Sequence, residues 1–380
     1  MGLDGVEIFI NPSASHHELR KLYRRVDLIK EATMKLGGIY LYANQQGCDG
    51  DRLYYDGCPL IAVNGSIIAQ GSQFSLDDVQ VVTATVDLDD VKAARSAKSR
   101  GMQAAFNRDI NQGKGFQRIT VDFDLGQRDS WSATLDVGGD NNPTAEPSTK
   151  GQLEQDPDST GILTESANER VEVFYHSPEE EIALGPACWM WDYLRRSRTQ
   201  GFFIPLSGGI DSCATATIVF SMCRLVVQAC HGTAPRSHLG PNKQVLEDVR
   251  RICGEKDDWT PSTPQEVANK IFVTCYMGTE NSSKETRDRA RDLAEAIGSY
   301  HIDLNMDMVI SAIIGLFTLV TTKKPQFKVH GGSAAENLAL QNIQARLRML
   351  LAYMFAQLVP WVRGGVGGLL VLGSANVDER

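Results

Sequence analysis

At 380 residues the chain is long enough for two or three domains, and its composition is ordinary for a globular protein. A formal net charge of -9 speaks against a broad nucleic-acid-binding surface, which needs clustered Lys and Arg. The eight cysteines form no CxxC pair, and Cys213, Cys223, Cys230 and Cys275 fall in apolar runs. They read as buried free thiols in a reducing, cytoplasmic compartment. No basic segment with an apolar core opens the sequence. The longest apolar tracts are interrupted by Arg224, or by Pro360 and Arg363, so neither a secretory signal nor a membrane span is expected.

Residues 1 to about 125 read as one unit. GVEIFI and GGIYLYANQ are expected strands, with a helix between them around HHELRKLYRRVDLIKEATMK. LIAVNGSIIAQG is apolar on both sides of Asn64-Gly65, a hairpin signal, and VQVVTATVDL reads as a further strand. The polar, acidic stretch GGDNNPTAEPSTKGQLEQDPDST marks a flexible linker, taken to run over 126–175. Ser177 is a helix N-cap, with Pro178 at the first helical position and Glu179, Glu180 and Glu181 in the first turn. From there strands (202–206, KIFVTCYM, GGLLVLG) alternate with helices (213–230, SSKETRDRARDLAEAIG). That alternation predicts a parallel sheet covered by helices.

At the seam between the strand at 202–206 and its helix stands PLSGGIDS, Pro205 to Ser212. A strand, a glycine loop and a helix start present free N–H groups at the positive end of a helix dipole, which suits an anion. Ser207 and Ser212 can donate hydroxyl hydrogen bonds to phosphate. Asp211 would repel a bare phosphate, so it makes sense with Mg²⁺ between them. No Gly-Lys-Ser/Thr follows, so this is not a P-loop. The plainer reading is a serine-rich cap on a tight turn, with Asp211 facing the helix dipole. SGGIDS resembles the SGGxDS signature of the ATP pyrophosphatase superfamily, which binds ATP through its pyrophosphate and releases AMP.

A second segment, ENLALQNIQARLRMLLAYMFAQL, predicts a long helix from Glu336. Asn342, Arg346, Met349 and Tyr353 share one face, with Leu340, Leu347, Leu351 and Leu358 opposite. A guanidinium beside an amide suits a phosphate or carboxylate ligand, although an exposed Arg on an ordinary amphipathic helix reads equally well. SGGIDS, NIQARLRM and LVLGSANVDE, in that order, closely resemble the NAD synthetase family. YHSPEEEIALGPACWMWDYLRRS and the first unit are similar to its eukaryotic, glutamine-dependent form. The resemblance implies an α/β chain: the second half of a nitrilase-like α-β-β-α sandwich (1–125), the linker, and a doubly wound parallel-sheet ATP pyrophosphatase domain, adenine nucleotide α-hydrolase-like (176–380).

In that family the carboxylate of nicotinic acid adenine dinucleotide is adenylated by ATP with Mg²⁺, and ammonia, free or from glutamine, then gives NAD and AMP. The resemblance places the ATP phosphates on Pro205, Leu206, Ser207, Gly208, Gly209, Ile210, Asp211 and Ser212, with Ser207 as the catalytic hydroxyl. Asp211 and Glu379 would ligate Mg²⁺. Thr279 and Ser374 would contact ATP, Asn342 and Arg346 the dinucleotide, and Ser15 glutamine. A homo-oligomer is implied, with neither nucleic acid nor membrane as partner. Cys48 and Cys58 do not match the context of the glutaminase nucleophile and read as structural; His16 and His17 read as exposed helix-start residues. The family's Cys, Glu and Lys precede the segment where this sequence starts, and further helices follow GSANVDE. The chain is therefore expected to be an internal piece. The competing expectations are an inactive fragment that keeps an interaction surface, or another SGGxDS adenylating enzyme. One acting on tRNA is disfavoured by the charge.

Overall fold

The computed structural model describes residues 1–98, 102–104, 106, 119–122, 167–233 and 240–375. In the first unit β1 (Ile8–Ser13), α1 (Lys21–Leu36) and β2 (Ile39–Asn44) form a parallel crossover. β3 (Gln46–Cys48) and β4 (Tyr54–Asp56) make a small antiparallel pair. β5 (Leu60–Val63) and β6 (Ser66–Gln70) complete a four-stranded sheet in the order β1-β2-β5-β6. Asn64 and Gly65 have φ 51 and 95, the positive pair that a two-residue hairpin turn demands. α1 packs Leu22, Val26 and Ile29 against Tyr42, Leu60, Ala62 and Ile67 of this sheet.

Two expectations for this unit are corrected. The helix starts at Lys21, not at His16. His17 instead donates its N–H to the Tyr54 carbonyl at 2.6 Å, and His16 bridges to Tyr55. VQVVTATVDL is not a strand: 79–87 alternates in exposure but joins no ladder among the described residues. Alternation of apolar residues sets which side faces inward and says nothing about whether a partner strand lies alongside. Its end caps α2 (Leu88–Ser96), where the Asp87 carboxylate accepts the Asp89 N–H. The expected linker lies outside the described residues as far as 166. Beyond that, Val171 donates to the Ile67 carbonyl, and Phe174 exchanges two hydrogen bonds with the Gln70 side chain.

α3 (Pro178–Ser197) opens with a capping box, the Ser177 and Glu180 side chains each accepting the other's N–H. β7 (Phe202–Pro205), α4 (Ile210–His231), α5 (Lys243–Cys253), α6 (Pro264–Ile271) and β8 (Phe272–Gly278) follow. Then come α7 (Lys284–Ile297), β9 (Tyr300–Asn305), α8 (Asp307–Thr321), α9 (Ala334–Val362) and β10 (Leu370–Val371). The four strands are parallel in the order β10-β7-β8-β9. Phe202, Ile204, Phe272 and Tyr276 face α3 to α7, while Phe203, Val273, Cys275 and Met277 face α8 and α9. Both sheet faces are therefore covered, and all of β8 is buried. The chain builds outward from β7 to β9, then returns to lay β10 on the other side of β7. That reversal places a crevice beyond the carboxyl ends of β7 and β10.

Arg224 does not interrupt α4. The helix is long and apolar enough by composition to cross a membrane, but half of its most apolar window is buried in this fold, between α3, α5 and α6. α4 and α9 each start earlier than their periodicity predicts, at Ile210 and Ala334. Leu340, Leu347 and Leu351 are buried as expected; Leu358 shares their face but is 48% exposed. Phe272→Ala is expected to cost about 3–5 kcal/mol in urea unfolding, because Phe272 is fully buried between helices. Val81→Ala should stay within about 0.5 kcal/mol. A core-sized cost at Val81 would mean that 79–87 is packed as a strand after all.

Candidate functional site

Beyond β7, the Leu206 N–H donates to the Cys275 carbonyl at 2.8 Å, tying the loop to β8. Gly209 is the N-cap of α4 and supplies no side-chain cap, so the amides of the first turn are left open toward the crevice. Gly208 is buried with φ 75, and a Cβ there would lie 2.0 Å from the Thr286 carbonyl oxygen. Only glycine fits that approach. The Ser207 and Ser212 hydroxyl oxygens are 2.9 Å apart. The Gly209 N–H donates to Ser207 Oγ, and Ser212 Oγ donates to the Gly209 carbonyl. The two serines are thus not equivalent. Ser212 is 3% exposed and holds the loop's shape, whereas Ser207 is exposed. Asp211 places its carboxylate in the first turn of α4, on the exposed side.

Two other loops end at the same edge of the sheet. After β8, Thr279 is half-buried and closes a turn with Ser282: the N–H of each meets an oxygen of the other at 2.9 Å. After β10, the Leu372 N–H donates to the Phe203 carbonyl, and Ser374 follows, half-buried. Asn342 and Arg346 are exposed on α9 beside Met349 and Tyr353. Among the described residues no hydrogen bond or ion pair joins them to the Ser207–Ser212 loop. Arg348 was not singled out from the sequence; its Nε reaches the Met277 carbonyl at the carboxyl end of β8. It falls outside the helix face shared by Asn342, Arg346, Met349 and Tyr353, and periodicity alone does not reveal a carbonyl partner on β8. Glu379 lies outside the described residues. Among the described residues no group of three His, Cys, Asp or Glu side chains is arranged to hold a metal.

In the first unit Ser15 belongs to a buried polar network. Its N–H donates to Asn44 Oδ1, and its hydroxyl and carbonyl both accept from Arg25 Nη2. Arg25 also binds the fully buried Asp56 at 2.9 Å, which further accepts from Asn44 and Gln73. No sequence pattern announced this network; the one cue was a lone Asp closing the apolar run LYYD. His17 corrects its reading as an exposed helix-start residue. Its ring packs edge-on against Phe74, with Nδ1 3.9 Å from Asp56, and burial holds its pKa below the usual histidine value. Cys48 and Cys58 are buried and in no disulfide, and burial pushes the Cys48 thiol up, away from the thiolate a nucleophile needs.

A doubly wound parallel sheet with a glycine loop and an uncapped helix start at its switch point, joined to a mixed sheet-and-helix unit, defines the class of protein. The sequence model of the carbon-nitrogen hydrolase family matches residues 1–96, and that of NAD synthase matches residues 186–379. The chain belongs to the NAD synthase family. Over its whole length it is 59% identical to the glutamine-dependent NAD(+) synthetase of Saccharomyces cerevisiae and 52% identical to that of Homo sapiens, covering 48% and 47% of those proteins. It spans about half the length of the curated relatives it matches. Its fold matches a glutamine-dependent NAD(+) synthetase from Cytophaga hutchinsonii at TM-score 0.63 and 20% identity, covering 100% of this chain and 47% of that one. It also matches one from Acinetobacter baumannii, solved with adenosine diphosphate, at 0.56 and 17%, covering 100% of this chain and 45% of that one.

Gly208→Ala is expected to destabilise by more than about 1 kcal/mol, since the clash is with backbone and φ is positive. Gly209→Ala, at φ -82 and 3.3 Å from a movable Ser207 hydroxyl, should be far milder. Asp56→Ala should cost about 3–5 kcal/mol by stranding Arg25. Chemical denaturation of the three variants checks this ranking.

Proposed function

We propose that the whole protein is a glutamine-dependent NAD synthetase that amidates nicotinic acid adenine dinucleotide at the expense of ATP. The observation that carries this reading is the uncapped SGGIDS loop at the switch point of the sheet, in a chain of the NAD synthase family. The nicotinate carboxylate oxygen attacks the α-phosphorus of ATP. The bond to the bridging oxygen breaks, and pyrophosphate leaves. Ammonia then attacks the acyl carbon, loses a proton, and expels AMP.

The uncapped amides of Ile210 to Ser212 and the exposed Ser207 hydroxyl hold phosphate oxygens where negative charge is concentrated. Pro205, Leu206, Gly208 and Ile210 shape the approach, Ser212 fixes it, and Thr279 and Ser374 approach the nucleotide from the neighbouring strand ends. Asn342 and Arg346 bind the anionic dinucleotide through α9. An exposed carboxylate beside an amide cradle fits Mg²⁺, which needs only one or two carboxylates and completes its octahedron with phosphates and water. Asp211 and Glu379 would hold it, and it would neutralise charge between two anionic reactants. Ser15, fixed by Arg25 and Asn44, contacts glutamine as the ammonia donor. The division into a glutaminase-type unit at 1–125, a linker at 126–175 and a synthetase unit at 176–380 follows from this reading. The exposed apolar residues of α8 and α9, such as Leu316, Leu319, Leu350 and Trp361, support a homo-oligomer.

The test is product identity. NAD, AMP and pyrophosphate are expected; ADP and phosphate would exclude adenylation, and adenylation of tRNA instead would favour a different SGGxDS enzyme. Asp211→Asn is expected to abolish turnover with the fold intact by circular dichroism, because the amide keeps the shape and loses the charge. Near-normal activity at limiting Mg²⁺ would reduce Asp211 to a helix-dipole partner. Arg346→Leu should weaken dinucleotide binding by about ten- to hundredfold, the loss of a charge-assisted contact worth about 1.5–3 kcal/mol, and ATP binding much less. Equal weakening of both substrates would indicate a general defect.

A further inference from the structure

One side of α3 is written for polar engagement with the first unit. Glu181, Gly185, Cys188, Asp192 and Arg196 follow at steps of three or four residues, so they share a face. Glu181 accepts the Arg20 N–H at 2.7 Å. At Gly185 a Cβ would stand 3.1 Å from the His17 ring. Asp192 accepts the Cys48 N–H at 3.0 Å, and Arg196 donates to the Cys48 carbonyl at 3.1 Å. Arg195 braces Asp192 at 2.9 Å while reaching Asp78 at 2.6 Å. Gly47, at φ 114, lets the strand come this close: a Cβ there would lie 2.9 Å from Asp192 Oδ2.

The other side of α3 is apolar. Ala187, Trp191 and Leu194 are buried with Ala216, Val219 and Cys223 of α4, the helix headed by the SGGIDS loop. α3 is therefore one rigid piece in contact with both units. Apolar contact alone would hold the units together but would tolerate sliding. A carboxylate and a guanidinium on the two backbone groups of a single residue set a register.

We propose that Asp192, with Arg196, is a positioning residue for nitrogen transfer: by gripping Cys48 it sets the Ser15 network against the helix that carries the nucleotide loop. This rests on the reading of the protein as a glutamine-dependent synthetase. Cys48 then serves through its backbone, and its thiol is incidental. Gly185 completes the setting, since His17 packs against it two residues beyond Ser15.

The experiment uses the whole enzyme with Asp192→Asn, Gly47→Ala and Gly185→Ala. None of these residues belongs to the nucleotide site or to the Ser15 network. NAD formation is measured with glutamine and with ammonium, together with glutamate released per NAD formed. With ammonium each variant is expected to stay within about twofold of the unsubstituted enzyme, as for a site remote from the reacting atoms. With glutamine the rate of NAD formation should fall about tenfold or more for Asp192→Asn and Gly47→Ala, the scale of a lost charge-assisted bond. Glutamate per NAD should rise. Ala at 185 favours a helix more than Gly does, so a defect there cannot come from breaking α3. Equal loss with both donors would make the clamp merely structural and overturn the proposal; so would unchanged glutamine use. If the unsubstituted enzyme makes no NAD from ammonium, it is the reading of the reaction that fails.

Discussion

The carboxyl edge of the parallel sheet depends on the space left by the missing side chain at Gly208. The Thr286 carbonyl, in the first turn of α7, occupies the place where a Cβ would be. Because the two backbones touch there, the loop after β7 cannot rise away from the sheet, and α4 must begin at once. Its first amides then point along the helix axis with no side chain to cap them. Three uncapped N–H groups, those of Ile210, Asp211 and Ser212, would normally weaken a helix end. Here that cost is borne by the 22-residue apolar body of α4, much of it buried. An anion at the loop meets donors that are already in place and need no reorganisation.

Ser207 and Ser212 show how burial divides two chemically identical groups. The Ser212 hydroxyl is enclosed and donates to the Gly209 carbonyl, which also accepts the Cys213 N–H, so it is held inside the first turn of α4. The Ser207 hydroxyl faces outward and accepts from the Gly209 N–H, so its proton is directed by the Ser212 oxygen or by a ligand. The same logic in the first unit gives the opposite balance. Asp56 is wholly buried and its oxygens are engaged by Arg25, Asn44 and Gln73, so the network is rigid and Ser15 is held at both its N–H and its carbonyl. One site offers open donors to an incoming anion. The other spends its polar groups on fixing a single serine.

What the sequence made legible were the features whose cause is local. Ser177 with Glu180 three residues on, Asn64-Gly65 between apolar runs, and Ser-Gly-Gly before an apolar helix each specify a backbone conformation within a few residues. The face shared by Asn342, Arg346, Met349 and Tyr353 was legible because helical periodicity needs only the helix. What failed needed a partner distant in sequence. Residues 79–87 have a strand's alternation without a strand beside them among the described residues. His17 looked like a surface residue until Phe74 and Gly185 closed over it. The Asp56 network draws on residues 15, 25, 44, 56 and 73, and no spacing in the sequence links them.

The two units illustrate different ways of burying charge between elements. Within the first, Arg25 and Asp56 are enclosed, and an apolar pair of the same volume could give equal stability. What such a pair could not do is hold a hydroxyl and a carbonyl in fixed directions. Between the units, α3 repeats the arrangement with Asp192 and Arg196 on the two backbone groups of Cys48. In both places the charged pair acts on the main chain of a neighbouring segment, and in both places the segment is one that a catalytic reading needs held still. Apolar packing supplies adhesion, from Val26 and Ile29 beside Arg25 on the same buried face of α1 and from Trp191 and Leu194 on the opposite side of α3. The buried ions supply direction. That division explains why α1 and α3, neither of which presents a reacting group, carry polar side chains on their inward faces where an amphipathic helix would ordinarily be apolar.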